Sequence, residues 1–245
     1  MEHSKLVPLS ILKKEKFSII QIAEMVINFY KKLTAIDVNY NRIKVISERN
    51  SLYENININD GTAIKHLADE ILNRNIDDIR KIDKVENPDV NYSRDKSIIF
   101  SLEANIEKEP LITLNYSLST LTPRIGSIVV NETCFDTFEK AKFFLETVET
   151  SFPIDYSVIK ISDRVLNKVA RGYKAPLGWV TYFSNDYEIP IPDDLEGIEY
   201  EHTDNGKYLI LTQENPTDPE TLEANRQKLL GVMEEIKGRV PEYSK

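Results

Sequence analysis

The chain has 245 residues, of which 41% are hydrophobic and 29% are charged, and its formal net charge at pH 7 is −9. This composition supports a buried core and excludes an intrinsically disordered protein. No apolar run reaches the roughly 18 residues that a membrane-spanning helix needs, and the N-terminal segment has no signal-peptide pattern, so we expect a cytoplasmic protein with no membrane partner.

The negative charge is concentrated in the second half of the chain. Residues 1–124 contain 18 basic and 18 acidic residues, whereas residues 125–245 contain 13 basic and 22 acidic residues. An acidic surface repels phosphates and therefore disfavours direct binding of nucleic acid. It favours a partner protein with a basic surface.

The first predicted elements are a strand and an amphipathic helix. The strand is KLVPLSIL, and the helix that follows begins with a capping-box pattern formed by Ser18 and Gln21. Apolar residues then recur at helical spacing, and the alternating segment RIKVIS predicts a second strand.

The next predicted elements complete the first lobe. A helix is predicted over residues 62–74 with Asp60 as its N-cap, and KSIIFSLEANI and PLITLNYSLST are predicted strands. The proline-containing stretch near residue 124 indicates a boundary between two lobes, residues 1–124 and residues 125–245.

Residues 135–162 repeat the order of features found at residues 17–47. Asp136 and Glu139 form a second capping-box pattern, an amphipathic helix follows, and the segment VIKIS is again a strand. The repeat predicts an α+β fold of mainly antiparallel sheet with packed helices, built as two related βαβ-type lobes that could share one sheet.

The segment APLGWVTYFS contains Trp179, the only tryptophan, on a predicted strand. Both faces of this strand are substantially apolar, so we expect Trp179 and Tyr182 to be buried. Gly178 is expected to permit a close approach of a neighbouring strand. These three residues are predicted to hold the second lobe together. A closing helix is predicted to begin at Pro219, with Asp218 as its cap.

Residues 186–206, here called the acidic segment, contain eight acids and no lysine or arginine. They offer charges for electrostatic steering, with aromatic residues as anchors for a desolvated contact. The alternative is an acidic loop that serves only solubility. The predicted partner-binding residues are Tyr187, Asp193, Asp194, Glu196, Glu199, Tyr200, Glu201 and Asp204.

No catalytic or cofactor motif is present in the sequence. There is no glycine-rich phosphate loop, no nucleophile elbow and no zinc-binding helix motif. Cys134 is the only cysteine, which excludes an internal disulfide and a Cys-based zinc site. We therefore expect no catalytic residues, no metal and no cofactor, with a carboxylate-dependent or metal-dependent hydrolase as the alternative that the many acids leave open.

Residues 175–240 contain, in order, Gly-Trp before a Thr-Tyr strand, a proline-rich connection, a glycine turn at Gly206, and a strand that ends in Thr-Gln-Glu. This order resembles family 52 of bacterial immunity proteins, which neutralise toxins of polymorphic and type VI secretion systems. The resemblance implies a protein that binds a cognate toxin, in particular one with a nuclease domain, and blocks its active site. An effector adaptor or chaperone is the other binding function considered.

Overall fold

The computed structural model describes residues 5–46, 55–94, 96–106, 109–118 and 123–244. These residues form an α+β fold with a mostly antiparallel sheet, which confirms the predicted fold class. The strands are β1 (Lys5–Leu12), β2 (Arg42–Val45), β3 (Asn55–Asn57), β4 (Ile98–Ile106), β5 (Glu109–Leu118), β6 (Arg124–Val130), β7 (Ile154–Ser162), β8 (Val180–Ser184), β9 (Glu199–His202) and β10 (Gly206–Ile210). The helices are α1 (Ile19–Leu33), α2 (Ala63–Asp78), α3 (Phe138–Glu149), α4 (Arg164–Ala170) and α5 (Leu222–Arg239).

The chain divides into two compact units, each discontinuous in sequence. The Trp179 unit comprises Met1–Ser10, Phe135–Leu145 and Ile154–Lys245, and the Cys134 unit comprises Ile11–Cys134 and Glu146–Pro153. The predicted lobes are contiguous segments that meet near residue 124, and their evolutionary relation stays a prediction.

The Cys134 unit contains strands in the order β3-β2-β4-β5-β6, and each of these neighbouring pairs is antiparallel. Its core is rich in aromatic rings, and helix α1 contributes Phe29 and Tyr30 to it. Phe100 and Tyr116 stack across β4 and β5 with ring centroids 4.8 Å apart. Cys134 is buried there, with its thiol 3.1 Å from the carbonyl oxygen of Leu111.

The Trp179 unit contains strands in the order β1-β7-β8-β10-β9. The pairs β7–β8, β8–β10 and β10–β9 are antiparallel. Strand β8 is central, and all five of its residues are buried. Strand β9 lies at one end of the sheet and pairs only with β10 among the described strands. This unit therefore has a fully buried strand, β8, and an exposed edge strand, β9, with only β10 between them in the sheet.

The N-termini of helices α1 and α3 confirm one predicted capping box and contradict the other. The Ser18–Gln21 capping box is confirmed, since the Ser18 hydroxyl accepts from the Gln21 N–H and the Gln21 side chain accepts from the Ser18 N–H. The second capping box is wrong. The hydroxyl of Thr137 accepts from the Lys140 N–H at 3.3 Å, while Asp136 forms an ion pair with the Lys140 ammonium group at 2.9 Å.

Two other helices have bounds that differ from the predicted ones. Helix α5 begins at Leu222, because Asp218 caps a turn instead, with its carboxylate accepting from the Glu220 N–H at 2.9 Å. Helix α2 continues to Asp78, and Asp60 accepts from the Thr62 N–H instead of capping the helix directly. The predicted ends of two strands, at Ser47 and at residues 119–120, lie outside the described residues. Among the helices in the described ranges, none is long and apolar enough to cross a membrane.

Candidate partner-binding surface

Trp179 is fully buried in the Trp179 unit. Its indole N–H donates to the carbonyl oxygen of Thr212 at 2.8 Å, and its backbone N–H donates to Ile159 at 2.8 Å. The ring lies 6.3 Å, centroid to centroid, from that of Phe138. A buried tryptophan removes a large apolar area from water, and its single polar group is satisfied here, so the site stabilises the fold.

Gly178 lies where the chain passes closest to strand β7. A Cβ atom at this position would lie 2.3 Å from the Ile159 carbonyl oxygen and 2.5 Å from a Val158 methyl carbon. Both distances are far below van der Waals contact, so any other residue forces the two segments apart. Tyr182, four residues further along the chain on β8, is also buried, and its ring lies 5.0 Å from that of Tyr208.

The acidic segment begins two residues after the end of the buried strand β8. Between β8 and β9 it forms a loop in which Ile189, Ile191 and Leu195 are buried, with exposed fractions of 3%, 6% and 3%. Gly197 adopts a left-handed conformation with φ of +75°, which turns the chain into β9. Three buried aliphatic side chains fix the loop to the body of the unit, as in compact loops that carry function.

All eight acids of the segment are exposed: Asp186, Glu188, Asp193, Asp194, Glu196, Glu199, Glu201 and Asp204. Four of them form ion pairs with cations from outside the segment. These pairs are Glu188–Lys174, Asp193–Lys207, Asp194–Arg239 and Glu201–Lys142. Exposed pairs of this kind contribute little to stability because water and salt screen them.

Three of the predicted binding acids form no ion pair with any residue that the structure describes. They are Glu196, Glu199 and Asp204. Glu199 does accept a hydrogen bond at 3.0 Å from the side-chain amide of Gln213. The structure therefore separates the predicted binding acids into three that form ion pairs within the unit and three that form none with the described residues.

The two predicted anchor tyrosines pack inward. The Tyr187 ring lies 5.0 Å from that of Phe183 and 6.3 Å from that of Tyr156, and burial raises the pKa of Tyr187 to about 12. The Tyr200 hydroxyl accepts from the Leu195 N–H at 2.9 Å, and burial raises the pKa of Tyr200. Both rings support the loop, and their role as anchors for a partner stays a prediction.

The sequence did not point to the cations that pair with the segment. Lys207 follows the segment directly, but the other three come from distant parts of the chain: Lys142, Lys174 and Arg239. Lys142 also lies over the Tyr208 ring, 5.5 Å from its centroid. Only the neighbour Lys207 had a local signal, because the other pairs depend on the tertiary fold.

Two of the open grooves formed by described residues lie in the Cys134 unit. One, of about 470 Å³, follows helix α1 and is lined by Phe17, Met25 and Lys31 among others. The second, of about 560 Å³, lies beside β2 and is lined mainly by asparagines and charged residues. Within the described part of the chain, no group of three or more His, Cys, Asp or Glu residues is placed to hold a metal ion.

No protein-family model matches the chain, and no curated protein matches it. Among solved structures, the chain is similar to the Pseudomonas aeruginosa T6SS protein PA0821, with 7% sequence identity and a TM-score of 0.47. That similarity covers 94% of this chain and 74% of the other.

Proposed function

We propose that this protein is an immunity protein that binds a cognate bacterial toxin and neutralises it by covering the toxin's active site. A nuclease toxin fits best, because a nuclease needs a basic cleft to bind nucleic acid. In this proposal the protein acts in the cytoplasm within a polymorphic or type VI toxin system. It performs no chemistry and needs no cofactor.

The orientation of the acidic segment is the observation that carries the proposal. Its eight carboxylates belong to exposed residues, while Ile189, Ile191 and Leu195 are buried beneath them. A loop that is already held in place loses little conformational freedom when it binds. Exposed charges of one sign also accelerate encounter with a partner of the opposite sign.

This arrangement is suited to inhibition by occlusion. The lysine and arginine side chains of a nuclease cleft attract phosphates, and carboxylates compete for the same side chains. Glu196, Glu199 and Asp204 form no ion pair with the described residues, so their carboxylates are the ones proposed for such contacts. A protein that occupies the cleft in this way blocks the substrate without needing catalytic groups.

Co-expression with the toxin encoded by the neighbouring gene tests the proposal. We expect the toxin alone to arrest growth and the pair to grow normally. The control is a chain with the substitution Trp179→Ala, which is expected to destabilise the fold and therefore to weaken protection. Arrested growth in cells that contain both soluble proteins would contradict the proposed function.

A second measurement separates immunity from an adaptor or chaperone function. The purified complex is assayed for cleavage of DNA and RNA, with the free toxin as reference. Immunity by occlusion predicts loss of cleavage in the complex. Full cleavage in a stable complex would identify the protein as an adaptor.

A further inference from the structure

The pairing of strand β9 with β10 determines which backbone groups of β9 face outward. In the β9–β10 ladder, Glu201 lies opposite Tyr208 and His202 lies opposite Lys207. The Thr203 N–H donates to the Gly206 carbonyl oxygen at 2.8 Å, so that pair is hydrogen-bonded across the ladder. Hydrogen-bonded and non-hydrogen-bonded pairs alternate in an antiparallel ladder. The backbone groups of Glu201 and Glu199 therefore face β10.

Tyr200 and His202 consequently direct their backbone groups away from the sheet. Each supplies one N–H donor and one C=O acceptor, and no backbone partner for these four groups occurs among the described residues. An open edge with this alternation is the template to which an extended peptide adds as a further strand.

The charges around this edge indicate which kind of strand can pair with it. Glu199 and Glu201 lie on the same face of β9, with Glu196 before the strand and Asp204 after it. A second copy of the same edge would place like charges opposite each other, which is unfavourable. A strand with lysine or arginine at alternate positions would instead pair with these carboxylates.

We propose that β9 is a docking edge that accepts a basic extended segment of the partner protein by strand addition. The inference rests on the proposed function for the identity of the partner, but the edge itself can be tested without the toxin. Backbone hydrogen bonds would fix the register of the added strand. The carboxylates would select its charge.

The test uses a synthetic peptide, acetyl-Lys-Thr-Lys-Val-Lys-Thr-Lys-amide, and the full chain. Three proteins are compared by isothermal titration: the natural chain, His202→Pro and His202→Ala. Proline removes only an N–H that faces away from β10, so the β9–β10 ladder is expected to remain. We expect His202→Pro to weaken peptide binding about tenfold or more, and His202→Ala to bind within about twofold of the natural chain.

A second peptide keeps the proposal testable even if the His202→Pro protein does not fold. It carries N-methyl groups on alternate residues, which keep the charge but remove the hydrogen-bond donors of one edge. Strand addition predicts that it binds the natural chain about tenfold or more weakly than the unmodified peptide. Equal binding of the two peptides, or no binding of either, would overturn the docking edge.

The toxin then distinguishes the two proposals. If His202→Pro protects cells as well as the natural chain does, the strand-addition proposal is wrong and the immunity function stands. If the natural chain gives no protection although the peptide tests succeed, the immunity function is wrong and the docking edge stands.

Discussion

The buried strand β8 and the acidic segment that follows it are adjacent in sequence but have opposite characters. In β8 and at Trp179 every side chain is buried, and hydrogen bonds stay inside the unit. In residues 186–206 the acids are exposed, and only the aliphatic side chains between them are buried. The difference indicates that Trp179 supports the fold, while the acidic segment holds its carboxylates at the surface, where the proposed partner would bind.

The largest expected effect concerns Trp179. We expect Trp179→Ala to lower the free energy of unfolding by about 3–5 kcal/mol, because it leaves a cavity beside Phe138 and an unpaired carbonyl at Thr212. Unfolding in urea is followed by far-UV circular dichroism, since the substitution removes the only tryptophan fluorophore. A Trp179→Ala protein of natural stability that no longer binds the toxin would reverse the comparison.

A smaller effect is expected where the two regions meet. Ile191→Ala removes one of the buried side chains that fix the acidic segment, and we expect a loss of about 2 kcal/mol, at the low end for such changes because a loop can partly collapse into the space. The matched control is Ile128→Ala on β6, where the side chain is 61% exposed and little change is expected. Equal losses for the two variants would show that the loop is not fixed by its aliphatic residues.

The smallest expected effect is a dependence on alkaline pH. Burial raises the pKa of Tyr187 to about 12, above the usual tyrosine value of 10.0. The folded state therefore holds this proton more tightly than the unfolded state does. The stabilisation is complete below pH 10 and is lost as the pH rises towards 12.

Replacing Tyr187 with Phe isolates this contribution from that of the other buried tyrosines. We expect the urea midpoint of Tyr187→Phe to fall less steeply between pH 10 and pH 12 than that of the natural chain. A slope unchanged by Tyr187→Phe would show that the Tyr187 hydroxyl is well solvated.

Sequence patterns correctly predicted the parts of the fold that depend on interactions between residues close in sequence. The α+β class, the start of α1 at Ser18 and the strand around Trp179 followed from capping residues and apolar periodicity. The wrong cap at Asp136 has a simple cause: Thr137, next to it, is also a capping residue, and the choice between them depends on Lys140. Helix α4 was missed because it has only seven residues and little apolar periodicity.

The candidate site was less predictable because its electrostatics are set by tertiary structure. The sequence identified all eight acids, but it could not show that Lys142, Lys174 and Arg239 neutralise three of them. It also could not show that Tyr187 and Tyr200 turn inward, since a tyrosine in a polar loop fits either location. The roles of these residues in binding remain predictions.

The kinetics of toxin association test the central claim most directly. The variant Glu196→Lys, Glu199→Lys, Asp204→Lys is compared with a control of equal charge change in the Cys134 unit: Glu24→Lys, Asp78→Lys, Glu132→Lys. If the acidic segment is the binding surface, the first variant should associate about tenfold or more slowly at low salt and lose most of its salt dependence, while the control changes far less. Equal association rates for the two variants would contradict the claim.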